Sequence, residues 1–247
     1  MILTAIDIGN TSITFGVFKA TSLIRTFNIR SSGYTLAKLK AKIPAKMLRD
    51  AVICSVVPDL TKRLRGDLRV LSGKAPLIIG KDIKVPIKNL YRKPKQVGQD
   101  RLVNAYAALC IYGAPVIVVD FGTAITFDVI SRREEYLGGM IIPGIKISLE
   151  ALNQRTALLP KVRLDAPNDF IGRDTKNSIL SGVIYGFGSL TDELIMRIRK
   201  TVGKDARAAA TGGHVNLISR YCRRLDEVDT RLTLKGLSML YFNKKNT

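Results

Sequence analysis

Residues 116–130 read Val-Ile-Val-Val-Asp-Phe-Gly-Thr-Ala-Ile-Thr-Phe-Asp-Val-Ile, and residues 5–18 read Ala-Ile-Asp-Ile-Gly-Asn-Thr-Ser-Ile-Thr-Phe-Gly-Val-Phe. With one extra residue (Asn10) allowed in the earlier copy, Asp7 aligns with Asp120, Gly9 with Gly122, Thr11 with Thr123, Thr14 with Thr126 and Phe15 with Phe127. Each copy is an apolar, β-branched run ending in Asp, then a small-residue turn, then a second alternating run. That is the pattern of a strand, a tight turn and a returning strand. Glycine lets backbone approach a ligand closely, successive N–H groups can form an anion nest, and Thr hydroxyls can reach a phosphate. The Asp closing each first strand brings a negative charge to such a turn, which implies a bridging cation. One strand–Gly–turn segment is common structural punctuation. Two of them, five identities in a short window, predict a duplicated α/β domain whose halves face each other across a nucleotide cleft.

The chain has 247 residues and 46% apolar content, enough for two lobes with cores of their own. The duplication places those lobes at 1–113 and 114–247. Met1 leads straight into the first strand with no basic, apolar leader, so no signal peptide is expected and the protein is expected in the cytoplasm. The longest uncharged stretch, 102–119, is borderline for a membrane span, but Asn104, Gly113 and Pro115 divide it into a helix end, a turn and a buried strand. No membrane partner is expected. Cys54, Cys110 and Cys222 lack metal-ligand spacing and read as free thiols in a reducing compartment. His214 is the single histidine, which argues against a His-rich zinc site or a Ser-His-Asp triad and leaves proton transfer to a carboxylate.

Charge is unevenly spread. Forty Lys and Arg face 20 Asp and Glu, for a net charge of +20. Residues 1–113 hold 20 of the basic residues and only 6 Asp, with no Glu before Glu134. An excess of this kind favours polyanion contact, but charge alone speaks to solubility and nonspecific binding. Without aromatic interleaving, a zinc finger or a helix-turn-helix, nucleic acid is not an expected partner.

Along the chain, strands are predicted at 22–30, 51–56, 75–79, 134–142 and 206–210, with helices at 35–42, from Pro58, from about Gly98 to Tyr112, from Gly144 to Leu152, at 177–202 and at 232–242. Residues 81–97, polar and broken by Pro86 and Pro94, read as a loop leading into a site. The Gly138-Gly139 pair inside a strand suggests a bulge or a close ligand approach. In the helix at 177–202, Leu180, Ile184, Phe187, Leu194 and Ile198 form the expected buried stripe. Gly182 and Gly186 suggest close packing against a neighbouring element or, alternatively, a subunit interface. Thr211-Gly212-Gly213 is a third small-residue turn after a strand and a candidate adenosine wall.

Asp100, opening a helix after Gly98, has two readings. It can cap the helix, or, with Arg101 beside it, remove a proton from a hydroxyl while the guanidinium clamps a carboxylate. A cation is unfavourable at a helix N-terminus, so Arg101 is the harder residue to explain by capping.

In order and spacing, six elements resemble those of type III pantothenate kinases: Asp7-Ile-Gly-Asn-Thr11, Gly98-Gln-Asp-Arg101, Asp120-Phe-Gly-Thr-Ala124, Gly138-Gly-Met-Ile-Ile-Pro-Gly144, Arg155-Thr-Ala-Leu-Leu-Pro160 and Thr211-Gly-Gly213. The resemblance runs from the first strand to Gly236. It implies a duplicated actin-like and Hsp70-like (ribonuclease H-like) α/β fold and ATP-dependent phosphorylation of pantothenate, the first step toward coenzyme A. It further implies that Asp7, Ile8, Gly9, Asn10, Thr11, Ser12, Ile13 and Thr14 hold the ATP phosphates with Mg²⁺, and that Thr123 touches ATP. Tyr91, Gly98, Gln99, Asp100 and Arg101 would bind pantothenate, with Asp100 as proton acceptor. Asp120 would bind a monovalent cation, K⁺ or NH₄⁺. Thr175 would reach the pantothenate of a partner subunit in a homodimer. Gln96 and Lys146 stand where the family often carries acidic residues, and the strong positive charge is not a family feature. The rivals are another small-molecule kinase of the same fold and a basic nucleic-acid-binding regulator. No Walker-A spacing is present, which argues against a P-loop enzyme.

Overall fold

In the computed structural model, which describes residues 1–246, the duplication is visible in the strand order. The first sheet contains β1 (Ile2–Ile8), β2 (Ser12–Lys19), β3 (Ser22–Arg30), β4 (Ala51–Ser55) and β5 (Leu77–Ile78), ordered β3-β2-β1-β4-β5. The second sheet adds β6 (Lys88–Asn89) outside β9 (Glu135–Pro143), then runs β8 (Ala124–Ile130), β7 (Val116–Phe121), β10 (Arg207–Thr211) and β11 (Glu227–Val228). Each sheet is therefore an antiparallel meander whose first strand continues into parallel neighbours. The predicted insertion of Asn10 is also correct. Asp7 lies opposite Thr14 and Asp120 opposite Thr126, so the earlier turn is one residue longer.

The chain forms two compact units, and their bounds differ from a cut after residue 113. Residues 1–87, 93–107 and the described residues from 232 onward form the first, and residues 88–92 and 108–231 the second. In the first unit, α1 (Leu36–Lys42) and α2 (Pro58–Ser72) cover one face of the sheet; Leu39, Leu64 and Leu68 share a core with Ile6, Ile8, Phe15 and Ile53. On the opposite face, α3 (Gln99–Tyr112) and α7 (Leu232–Asn246) bring Val103, Tyr106, Leu237 and Tyr241 against Leu3, Ala5 and Cys54. The sequence division assigned α7 to the later lobe. Its apolar face is complementary instead to the first sheet, where Gly16 leaves room: a Cβ there would stand 2.9 Å from Leu234 Cδ1.

In the second unit, α4 (Ile145–Arg155), α5 (Thr175–Val202) and the short α6 (Val215–Ile218) pack on β7, β8 and β10. By length and composition α5 could cross a membrane, but one stripe of it lies in this core. The borderline stretch at 102–119 divides into α3, a turn and β7, as expected. The buried stripe of α5 is Leu180, Ile184, Gly188, Thr191, Ile195 and Ile198. It runs through Gly188 and Thr191, and Phe187 and Leu194 lie on its flanks. Gly182 and Gly186 are exposed with nothing within 4 Å of a Cβ, so they are not the close-packed glycines. Gly188 is, since a Cβ there would come 2.4 Å from the Tyr221 carbonyl oxygen. Gly188→Ala should therefore cost about 2–3 kcal/mol through backbone displacement, whereas Gly182→Ala should stay within about 1 kcal/mol. Urea unfolding of the two variants measures both, and equal costs would refute this packing.

Candidate active site

Alternation along β1 turns Ile6 and Ile8 toward one core and Leu3, Ala5 and Asp7 toward the other. Asp7 thus ends β1 on the face covered by α3. It pairs across the meander with Thr14 and across the parallel ladder with Cys54. The turn beyond it is held from behind. Gly9 N–H donates to Ser12 O (3.0 Å), Ser31 Oγ to Gly9 O (2.6 Å) and Ser31 N–H to Thr11 O (3.1 Å). Asn10 and Thr11 remain exposed at its tip. A turn with braced carbonyls and an outward tip suits a phosphate.

The N-terminus of α3 brings Asp100 to the same neighbourhood. Burial first, then the charges of Asp7 and Asp100, push the Cys54 thiol well up, so both carboxylates act on one buried sulfur. Asp100 Oδ1 is buried and has no hydrogen-bond partner among the described residues. Burial raises the Asp100 pKa above the usual carboxylate range, against the backbone N–H of Arg101 and the guanidinium charge. A pure cap would spend its oxygen on backbone N–H groups; this oxygen is withheld. Two glycines make room here. A Cβ on Gly98 would stand 2.4 Å from Asp100 Oδ1, and one on Gly80, at φ +83°, 2.8 Å from Gln99 Cδ. The Arg101 residue is 7% exposed, so its charge is set in the protein rather than in solvent.

In the second unit Asp120 closes β7 at the turn Gly122-Thr123. Three backbone segments crowd that turn. A Cβ on Gly212, at φ +102°, would lie 2.4 Å from Asp120 Oδ1, and one on Gly122 would lie 3.3 Å from it. A Cβ on Gly144 would fall 2.0 Å from Thr123 O. His214 N–H donates to Phe121 O at 3.1 Å, and burial, then Lys146, push the imidazole pKa down. The third small-residue turn thus sits against Asp120, with Gly213 facing open space.

Tyr91 also belongs to the second unit. Its ring lies against Gly138, where a Cβ would meet Cδ2 at 3.1 Å and where φ is +123°. Of the two readings of the glycine pair, the structure has the bulge, and the group against the backbone is a side chain of the protein itself. The register slips between Val129 and Ile130, opposite Leu137, and an aromatic ring approaches the backbone. Thr175 starts α5 in an exposed turn capped by Asp174, which accepts from Asn177 N (2.9 Å).

The pattern of hydrophobic residues gives no sign of Cys54 as the neighbour of two carboxylates, nor of Gly144 and Gly212 as the backing of the Asp120 turn. The paired strand ends and the glycines of the small-residue turns are the sequence signals for them. Asp128 is a further buried carboxylate that no motif marks. It is fully buried and accepts from Tyr136 Oη at 2.7 Å. A lone Asp inside an apolar alternating strand is its only trace.

A repeated strand–turn–strand, with Asp near the end of each first strand, defines a duplicated actin-like α/β fold. In keeping with this, the chain resembles the activator of the 2-hydroxyisocaproyl-CoA dehydratase from Clostridium difficile, solved with bound ADPNP, with a TM-score of 0.57 at 12% identity over 100% of this chain and 96% of that one. The profile of the type III pantothenate kinase family matches residues 3–197. A protein of that name from Finegoldia magna is 41% identical, covering 99% of this chain and 98% of its own. Another, from Dehalococcoides mccartyi strain BAV1, is 38% identical, covering 97% and 95%. This chain belongs to the type III pantothenate kinase family.

Proposed function

We propose that this pantothenate kinase uses Asp100 as its proton acceptor. The reaction transfers the γ-phosphoryl group of ATP to the terminal hydroxyl of pantothenate. Asp100 Oδ1 takes the hydroxyl proton, the hydroxyl oxygen bonds to the γ-phosphorus, and the bond from that phosphorus to the bridging oxygen of ADP breaks. The observation that carries this reading is the buried Oδ1 with no hydrogen-bond partner among the described residues, on a carboxyl whose pKa burial raises. Arg101 offers the pantothenate carboxylate a bidentate fork, and the Tyr91 ring supplies an apolar wall. The turn at 8–14 holds the ATP phosphates, and Thr123 is a further ATP contact.

The donor set fits the implied ions. Among the described residues no three of His, Cys, Asp and Glu cluster as a metal site. Mg²⁺ commonly binds through one or two carboxylates plus substrate phosphates, which Asp7 satisfies. Asp120, a single carboxylate beside the Gly122-Thr123 turn, suits a monovalent cation such as K⁺ or NH₄⁺. Bound there, the ions would neutralise phosphate charge. A coupled ADP-release assay with and without pantothenate tests the function, and stimulation by a sugar or short acid instead of pantothenate would overturn it.

The chain works in the cytoplasm as a homodimer in this reading, supported by the exposed Thr175 at the start of α5. Thr175→Val should raise the pantothenate KM several-fold and leave the ATP KM unchanged, with a dimer in light scattering. An active monomer, or equal changes in both KM values, would count against it.

A further inference from the structure

We propose that the outer surface of α1 and α2 is a docking face for the phosphate backbone of a double-stranded nucleic acid. Both helices cover the same side of the first sheet, because Leu39, Leu64 and Leu68 enter one core. Their polar sides consequently face outward together. Residues 35–74 carry ten Lys and Arg against three Asp, and two of those Asp are engaged at home. Asp50 pairs with Lys74 Nζ at 2.6 Å and accepts from Tyr241 Oη at 2.9 Å. Asp67 accepts from Tyr34 Oη at 2.8 Å. Lys40, Lys42, Lys46, Arg49, Lys62 and Arg69 are exposed, and none forms an ion pair among the described residues. The catalytic reading uses none of them.

The chemistry of the face selects its partner. Val70 is the one large apolar residue exposed on the two helices, so they lack the apolar face by which an interfacial helix enters a membrane. Tyr34 is 3% exposed, leaving no platform there for unpaired bases. What remains is positive charge on α1, on α2 and on the short turn between them that carries Lys46 and Arg49. The 15 residues of α2 extend about 22 Å, a length over which a duplex presents roughly a dozen phosphate charges.

The test is fluorescence anisotropy with a labelled duplex DNA of about 20 base pairs and arbitrary sequence, titrated between roughly 50 and 200 mM KCl. One variant carries Lys40→Glu, Lys46→Glu, Arg49→Glu and Arg69→Glu. A control of equal net charge carries Lys204→Glu, Arg220→Glu, Arg223→Glu and Arg224→Glu, all exposed in the second unit. The first should weaken binding at least roughly tenfold and flatten the log–log salt slope by about 3–4, at about 0.9 per lost phosphate contact. The control should change affinity less than about threefold. Kinase turnover should survive in both, which shows that they fold; Gln at the same four positions provides a milder version. Equal losses in the two variants, no binding by wild type at low salt, or preference for phosphatidylserine vesicles over DNA would overturn the proposal.

Discussion

Asp100→Asn is expected to lower kcat by roughly 10²–10⁴ while leaving the protein at least as stable as wild type. The substitution keeps size and capping ability, since Asn caps about as well as Asp, and removes only the proton acceptor. Stability follows from linkage. A carboxyl whose folded pKa is raised binds more protons folded than unfolded, so its contribution to stability falls as pH rises from the ordinary carboxylate range through the raised value. At neutral pH wild type carries that cost and the Asn variant does not, and the difference should vanish below the ordinary range. The same shift governs activity. The acid limb of kcat in wild type should lie above the usual carboxylate range, because Asp100 must lose its proton to act. Arg101→Lys is the companion change. It keeps the charge and loses the fork, so the pantothenate KM should rise while the ATP KM stays. A folded Asp100→Asn variant with near wild-type turnover would return Asp100 to a capping role.

What could be read without coordinates was whatever depends on local pattern. The two meanders follow from β-branched runs punctuated by Gly-Asn and Gly-Thr turns, and even the extra Asn10 emerged from alignment of the copies. The strand at Ser22–Arg30 was located to the residue. What escaped was decided between distant segments. Gly188 outweighs Gly182 because Tyr221 lies over it, and nothing near residue 188 announces Tyr221. The helix at the C-terminal end packs on β1 because Gly16, 216 residues earlier, is empty. Apolar stripes also miss small buried residues, which is why Phe187 and Leu194 stood in for Gly188 and Thr191. Of the residues proposed for the site, the motifs single out Asp7, Asp100 and Asp120. That Asp7 and Asp100 both act on Cys54, and that one oxygen of Asp100 lacks a partner, depends on packing.

Activity is expected to depend on K⁺ or NH₄⁺ and to disappear in Na⁺ alone, the second large effect. Asp120 lies in a tight surround: Gly212 at φ +102° and Gly122 both leave their Cβ space to its Oδ1. A carboxylate beside a phosphate turn repels the ligand unless a cation stands between them, and Coulomb repulsion at about 4 Å is worth about 4 kcal/mol at an effective dielectric of 20. K⁺ and NH₄⁺ are larger than Na⁺ and give up water more readily, so a site with a single carboxylate favours them. Asp120→Asn removes the charge that calls for the ion. Its turnover should be low in every salt and no longer respond to exchange of K⁺ for Na⁺. Gly212→Ala should act on the same step by a different route, since its Cβ would occupy the space beside the carboxylate and strain a left-handed φ. The measurement is ADP release in matched chloride salts at constant ionic strength. Equal wild-type rates in Na⁺, K⁺ and NH₄⁺ would remove Asp120 as a cation ligand.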